Sequence, residues 1–190
     1  MTMLTSRFEE ALIFAFNLHQ GQTRKSIPIP YFAHLMGVTS LVLEAGGDEE
    51  TAIAALLHDA VEDCGGLPVL EEIRRRFGDH VAEIVDYCTD AYTDPKPPWR
   101  ERKEQYIQKI RMAPLEARLV SIADKLYNVR TVNDALRLHG EEVWERFNGG
   151  KEGTLWYYRE LVRTFWDIGP QAIADELAQA VEVLELLVSR

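Results

Sequence analysis

The sequence contains only two cysteines, Cys64 and Cys88, among 190 residues. That is too few for a disulfide framework or a thiolate metal site, and it fits a reducing compartment. Long apolar runs are also missing. Even a stretch as long as Ala52 to Leu57 falls far short of the roughly 20 residues that span a bilayer. The first twenty residues mix charge with apolar side chains and lack a basic leader, an apolar centre and a cleavage site, so no signal peptide is expected. Basic charge is in deficit: 21 Lys and Arg stand against 31 Asp and Glu, a formal charge of −10. An acidic surface repels polyphosphate chains and anionic lipid, which argues against a nucleic-acid or membrane-surface protein. A small phosphorylated ligand remains compatible, because a basic pocket can lie within a negative whole. The expectation is a soluble, cytoplasmic protein.

Alternating apolar and polar residues, the mark of strands, are absent over any useful length, and helical spacing fills the chain instead. Ser6 is the expected cap of a first helix carrying Phe8, Leu12, Ala15 and Phe16. Gly21 ends it, and the two prolines of 22–30 keep that segment a loop. A second helix from Ala33 stops at Gly46-Gly47. A third, capped by Asp48, runs with an apolar body from Ala52 to Val61 and ends at Gly65-Gly66. Further helices are predicted over Val69–Phe77, His80–Ala91, Trp99–Met112, from Pro114 through Val132, and over Thr154–Phe165. Pro170 opens a last one, striped by Ile173, Leu177, Val181, Leu184 and Val188. The predicted class is all-α: one compact bundle of eight to ten helices over residues 1–190, with no internal repeat.

Two polar intrusions interrupt this apolar pattern. His58-Asp59, with Glu62-Asp63 a turn later, interrupts the third helix; Asp124, with Asn128 a turn later, interrupts Leu119–Val129. Burying such groups costs several kcal/mol unless partners or a metal compensate. A helix with one solvated edge would account for either intrusion alone, but two separate ones suggest a shared site. With His34, just after Tyr31-Phe32, they form a set of two nitrogens and two oxygens. This set suits Mn²⁺, Fe²⁺, Co²⁺ or Zn²⁺ and leaves coordination positions open for hydrolysis.

His34, the His58-Asp59 doublet and Asp124 resemble the HD superfamily of metal-dependent phosphohydrolases. More closely, Gln22-Thr23-Arg24-Lys25 with Tyr31, then Leu56-Leu57-His58-Asp59 with Glu62-Asp63, are similar to the hydrolase domain of RelA/SpoT-type alarmone enzymes. Phe77-Gly78, Arg102-Lys103 and Ala123-Asp124-Lys125-Leu126-Tyr127-Asn128-Val129-Arg130 continue the match in order. It covers about residues 20–165, leaving the helix of 170–190 outside. With no synthetase domain following, the resemblance is to the small stand-alone hydrolases of the SpoT-homologue group.

That resemblance implies removal of the 3′-pyrophosphate from guanosine tetra- or pentaphosphate, with one divalent ion, Mn²⁺, on His34, His58, Asp59 and Asp124. It places Glu62 and Asp63 at the attacking water, although both could instead cap or solvate the helix end before Gly65. It sets Arg24 against the base and Lys25 near phosphate; solvated loop cations are the alternative. Asn128 and Arg130 would reach ribose or phosphate, with a helix-bridging role open for Asn128. Lys151, in the glycine-rich Phe147–Arg159 segment, is a candidate phosphate contact, and Thr154 a candidate cap. His19, His80 and His139 fall near predicted helix ends and complete no second metal set. The expected partner is a small phosphorylated nucleotide, with oligomeric state open. Alternatives are an HD-type phosphatase acting on the 2′-phosphate of NADPH or on a nucleoside 5′-monophosphate, and a silent nucleotide-binding module.

Overall fold

A computed structural model describes residues 2–24, 28–92 and 95–189. Among these, ten α-helices and one 3-10 helix form an all-α bundle, and the only strand-like pairing is a single bridge between Thr23 and Pro30. The helices are α1 (Ser6–Leu18), α2 (Phe32–Glu44), α3 (Glu49–Leu57), α4 (Ala60–Cys64) and α5 (Leu67–Phe77). They continue with α6 (Asp79–Cys88), α7 (Trp99–Arg111), α8 (Leu115–His139), the 3-10 helix Gly140–Arg146, α9 (Gly150–Ile168) and α10 (Gln171–Val188).

The 25-residue α8 is the spine: α2, α3, α6, α7, α9 and α10 all pack on it. Beside it α3 is buried on every side from Thr51 to Leu57, which explains its apolar run without helical stripes. Asp48 caps α3 as expected, its Oδ1 accepting from the Thr51 N–H at 2.8 Å. At α1 the cap is Thr5 rather than Ser6, through the Arg7 N–H.

The predicted long third helix is divided. It stops at Leu57, His58 and Asp59 form a turn, and α4 restarts at Ala60. His58 Nδ1 donates to the Ala55 carbonyl at 2.8 Å, the acceptor an unbroken helix would offer to the Asp59 N–H. The chemistry-bearing doublet thus sits at a corner between two short helices.

Two other boundaries shift for identifiable reasons. α8 continues seven residues past Val132 and ends where Gly140 takes a positive φ of 61°. α9 begins at Gly150, so Thr154 lies buried inside it and is no cap. A Cβ on Gly149 or Gly153 would stand 2.7 or 3.1 Å from the Trp99 ring. Glycine therefore lets the N-terminus of α7 lie flat on that of α9.

Candidate active site

The corner after α3, the start of α2 and the middle of α8 converge. His34 from α2 and His58 are buried, and Asp124 projects from α8 between them. His58 Nε2 lies 2.9 Å from Asp59 Oδ2 and 3.6 Å from Asp124 Oδ1. His34 Nε2 lies 3.4 and 3.3 Å from the same two oxygens. Neither Nε2 makes a hydrogen bond. Two buried imidazole nitrogens that lack a hydrogen bond and lie 2.9 to 3.6 Å from two carboxylates fit the donor set of a divalent cation. The ligating atoms of His34, His58 and Asp59 all fall within 4.8 Å of one another.

Surrounding groups hold these donors in place. The Ala55 carbonyl accepts from His58 Nδ1, which aims Nε2 inward at the two carboxylates. The Tyr31 hydroxyl donates to Asp59 Oδ2 at 2.6 Å, and Asn128 Nδ2 to Asp124 Oδ1 at 2.5 Å. Lys125 Nζ bonds Asp124 Oδ2. Against the burial that opposes charge, Asp59 and Asp124 push the His58 imidazole up to about 10. Both carboxyls stay well below the usual carboxylate range despite burial. The pocket's field therefore favours positive charge.

Asp59 and Asp124 line the floor of a cavity of about 510 Å³, a size suited to a small ligand, and the imidazoles lie behind them. Glu62 and Asp63 line it too. Glu62 accepts from Lys96 Nζ at 2.6 Å with Arg102 3.9 Å away, and Asp63 accepts from Gln22 Nε2 at 2.9 Å. Arg24 enters from the loop before α2, donates to Asn128 Oδ1 and stands 5.4 Å over the Tyr31 ring.

Not every candidate arrives. Arg130 lies six residues beyond Asp124, about 240° around α8. It pairs with Glu176 of α10 at 2.7 Å, outside the cavity. Lys151 turns outward to Glu141 at 3.0 Å. Lys25 falls outside the described residues. In their place the cavity gathers Lys103 and Lys125, which pattern alone did not single out, with Trp99, Tyr157 and Tyr158. His19, read as an ordinary helix-end residue, is buried, stacks on Tyr31 at 5.2 Å and contacts Gln22 Oε1 at 2.7 Å.

This architecture is that of an HD domain, whose family profile matches residues 11–155; the chain belongs to that family of hydrolases, which implies a divalent metal. Within the family it is SpoT-like. It is 42% identical over 124 residues to the guanosine-3′,5′-bis(diphosphate) 3′-pyrophosphohydrolase MESH1 of Xenopus tropicalis, covering 64% of this chain and 66% of that protein. The human MESH1 is 38% identical over 127 residues, covering 65% and 68%. The Escherichia coli bifunctional (p)ppGpp synthase/hydrolase SpoT is 32% identical over 132 residues, 66% of this chain but 18% of SpoT. Among solved structures, one described as a metazoan orthologue of SpoT that hydrolyses ppGpp superposes with a TM-score of 0.75 at 28% identity, covering 94% and 97%. The lmo0812 protein of Listeria monocytogenes superposes at 0.69 and 34% identity, covering 80% and 97%.

Proposed function

We propose that this protein hydrolyses the 3′-diphosphate of guanosine tetra- and pentaphosphate, releasing pyrophosphate. The observation that carries the reading is the pair of buried, unpartnered imidazole nitrogens facing two carboxylates on the floor of a cation-lined cavity. His34, His58, Asp59 and Asp124 would hold one divalent ion, Mn²⁺ by resemblance. Bound there, the ion supplies Lewis-acid charge that acidifies water and offsets phosphate charge.

The side chains do the rest. Glu62 and Asp63, tethered by Lys96 and Gln22, line the same cavity as Asp59 and Asp124, which supports their role as the carboxylates that accept the proton of the attacking water. The water oxygen bonds to phosphorus as the bond to the ribose 3′-oxygen breaks, and that oxygen leaves as a hydroxyl, taking a proton in exchange. Arg24 and Asn128, bonded to each other, hold the nucleoside, the guanidinium being suited to stacking on a purine. The cytoplasm is the expected compartment; among the described residues, no helix is long and apolar enough to cross a membrane.

A substrate panel tests the reading: guanosine tetraphosphate, NADPH and nucleoside 5′-monophosphates at equal concentration. Guanosine tetraphosphate is expected to be turned over fastest, and His58→Ala is expected to lower that rate at least about a thousandfold by removing an ion ligand. Faster turnover of the monophosphates would overturn the substrate assignment. Retained activity in His58→Ala would overturn the site.

A further inference from the structure

Of the two carboxylates placed at the attacking water, Glu62 is gripped by Lys96, whereas Asp63 is exposed and belongs to the five-residue α4. An exposed aspartate samples several rotamers, so its direction depends on what holds it. Among the described residues, its side-chain partner is Gln22, whose Nε2 donates to Oδ2 at 2.9 Å. A carboxylate oxygen accepts, so the amide presents its NH₂ to Asp63 and its oxygen the other way. On that other side Gln22 Oε1 lies 2.7 Å from His19 Nδ1. The imidazole completes this arrangement only as a donor, with a proton on Nδ1. With Nδ1 bare, the amide would turn round and set its oxygen against the carboxylate.

The His19 ring is itself closely held. It is 3% exposed, sits at the end of α1 and does not line the cavity. It stacks on Tyr31 with 5.2 Å between centroids and 10° between planes, and the Cys64 sulfur lies 3.7 and 3.8 Å from its two nitrogens. The main chain repeats the connection. The Gln22 N–H donates to the His19 carbonyl at 3.1 Å, and the Gln22 carbonyl accepts from the Tyr31 N–H at 2.9 Å. Through its hydroxyl on Asp59, Tyr31 carries the stack into the ion cluster. One buried ring thus governs two tethers, one ending on an ion ligand and the other on a carboxylate at the water.

We infer that His19 is a positioning residue: it fixes the polarity of the Gln22 amide and so aims Asp63 at the water that attacks phosphorus. Its ring face keeps Tyr31 against Asp59. The task of Asp63 rests on the phosphohydrolase reading; the contacts that orient it do not.

Two substitutions separate the tethers. His19→Phe keeps a ring against Tyr31 and removes the nitrogen that Gln22 faces. Gln22→Met keeps the side-chain length and removes the amide. With guanosine tetraphosphate and saturating Mn²⁺, each is expected to lower kcat about tenfold, as for one oriented hydrogen bond lost. In His19→Phe, KM and Mn²⁺ affinity should change less than about twofold, because the cavity wall and the ion ligands are untouched. Since His19 acts through Gln22, adding His19→Phe to Gln22→Met should lower kcat less than about twofold further. Multiplying losses, or a His19→Phe variant whose KM rises and Mn²⁺ affinity falls along with kcat, would overturn the role in favour of plain packing. Nitrogen-15 NMR of the wild-type imidazoles reads the orientation without turnover. His19 Nδ1 is expected to carry a proton at neutral pH, and a bare Nδ1 would contradict the proposal even if neither variant folds. A wild-type chain inactive on guanosine tetraphosphate would overturn the hydrolase reading, and the ring spectrum would then decide the orientation of His19, Gln22 and Asp63 alone.

Discussion

At the scale of single residues, the site depends on polar groups held by other polar groups away from water. Asp90 is the clearest case. Its side chain is nearly closed to solvent and carries both Arg102 and Lys103. Against its burial, those two cations keep its carboxyl below the ordinary value. A carboxyl with a depressed folded pKa adds stability above its unfolded pKa, and that stability is lost as pH falls through the folded value. Asp90→Asn is therefore expected to cost about 3 kcal/mol near neutral pH, since it leaves buried cations unpaired. The gap from wild type should narrow as pH drops below the ordinary carboxylate pKa. Urea denaturation across that range measures it, and a cost independent of pH would contradict the role. Residues of this kind are hard to find from pattern. Lys103 and Lys125 fall within motifs that carry the resemblance, yet in a 27% charged chain nothing in their spacing gives them a role, whereas Asp124 and His58 stand out because their neighbours are apolar.

At the scale of helices, α2 and α8 meet where Gly37 leaves room for the Tyr127 ring. A Cβ at Gly37 would run into that ring. Tyr127 in turn packs on His34 at 5.0 Å between centroids, so helix spacing and imidazole position are coupled. Gly37→Ala is expected to destabilise the fold by about 1–3 kcal/mol through overpacking and to weaken Mn²⁺ binding several-fold. Thermal denaturation and metal titration check the two effects; unaltered metal affinity would separate Tyr127 from the site. The same scale shows what sequence pattern could and could not reach. Asp48 and Pro170 mark ends by chemistry that acts locally, so those boundaries were close to legible, whereas the end of α8 at Gly140 lay seven residues beyond the expected one. The break at His58 was not legible, because a side chain takes a main-chain acceptor there. Arg130 misled for a geometric reason: proximity to Asp124 in sequence is not proximity on the helix surface. Gly149 and Gly153 misled because Trp99, about fifty residues away, packs against them, and Thr154 because α9 already begins at Gly150.

At the scale of the whole molecule, an acidic all-α bundle concentrates cations around one cavity and leaves most of its negative charge elsewhere. His34, His58, Asp59 and Asp124 come from three distant stretches of sequence, and the packing of α2, α3 and α8 brings them together. The central claim is that this cluster, once metal-loaded, releases pyrophosphate intact from the 3′ position. The direct measurement is phosphorus NMR of guanosine tetraphosphate incubated with metal-stripped protein, before and after addition of Mn²⁺. The account predicts no turnover without the ion, and guanosine diphosphate with pyrophosphate as the first products once it is added. Turnover by the stripped protein, or orthophosphate appearing before pyrophosphate, would contradict it.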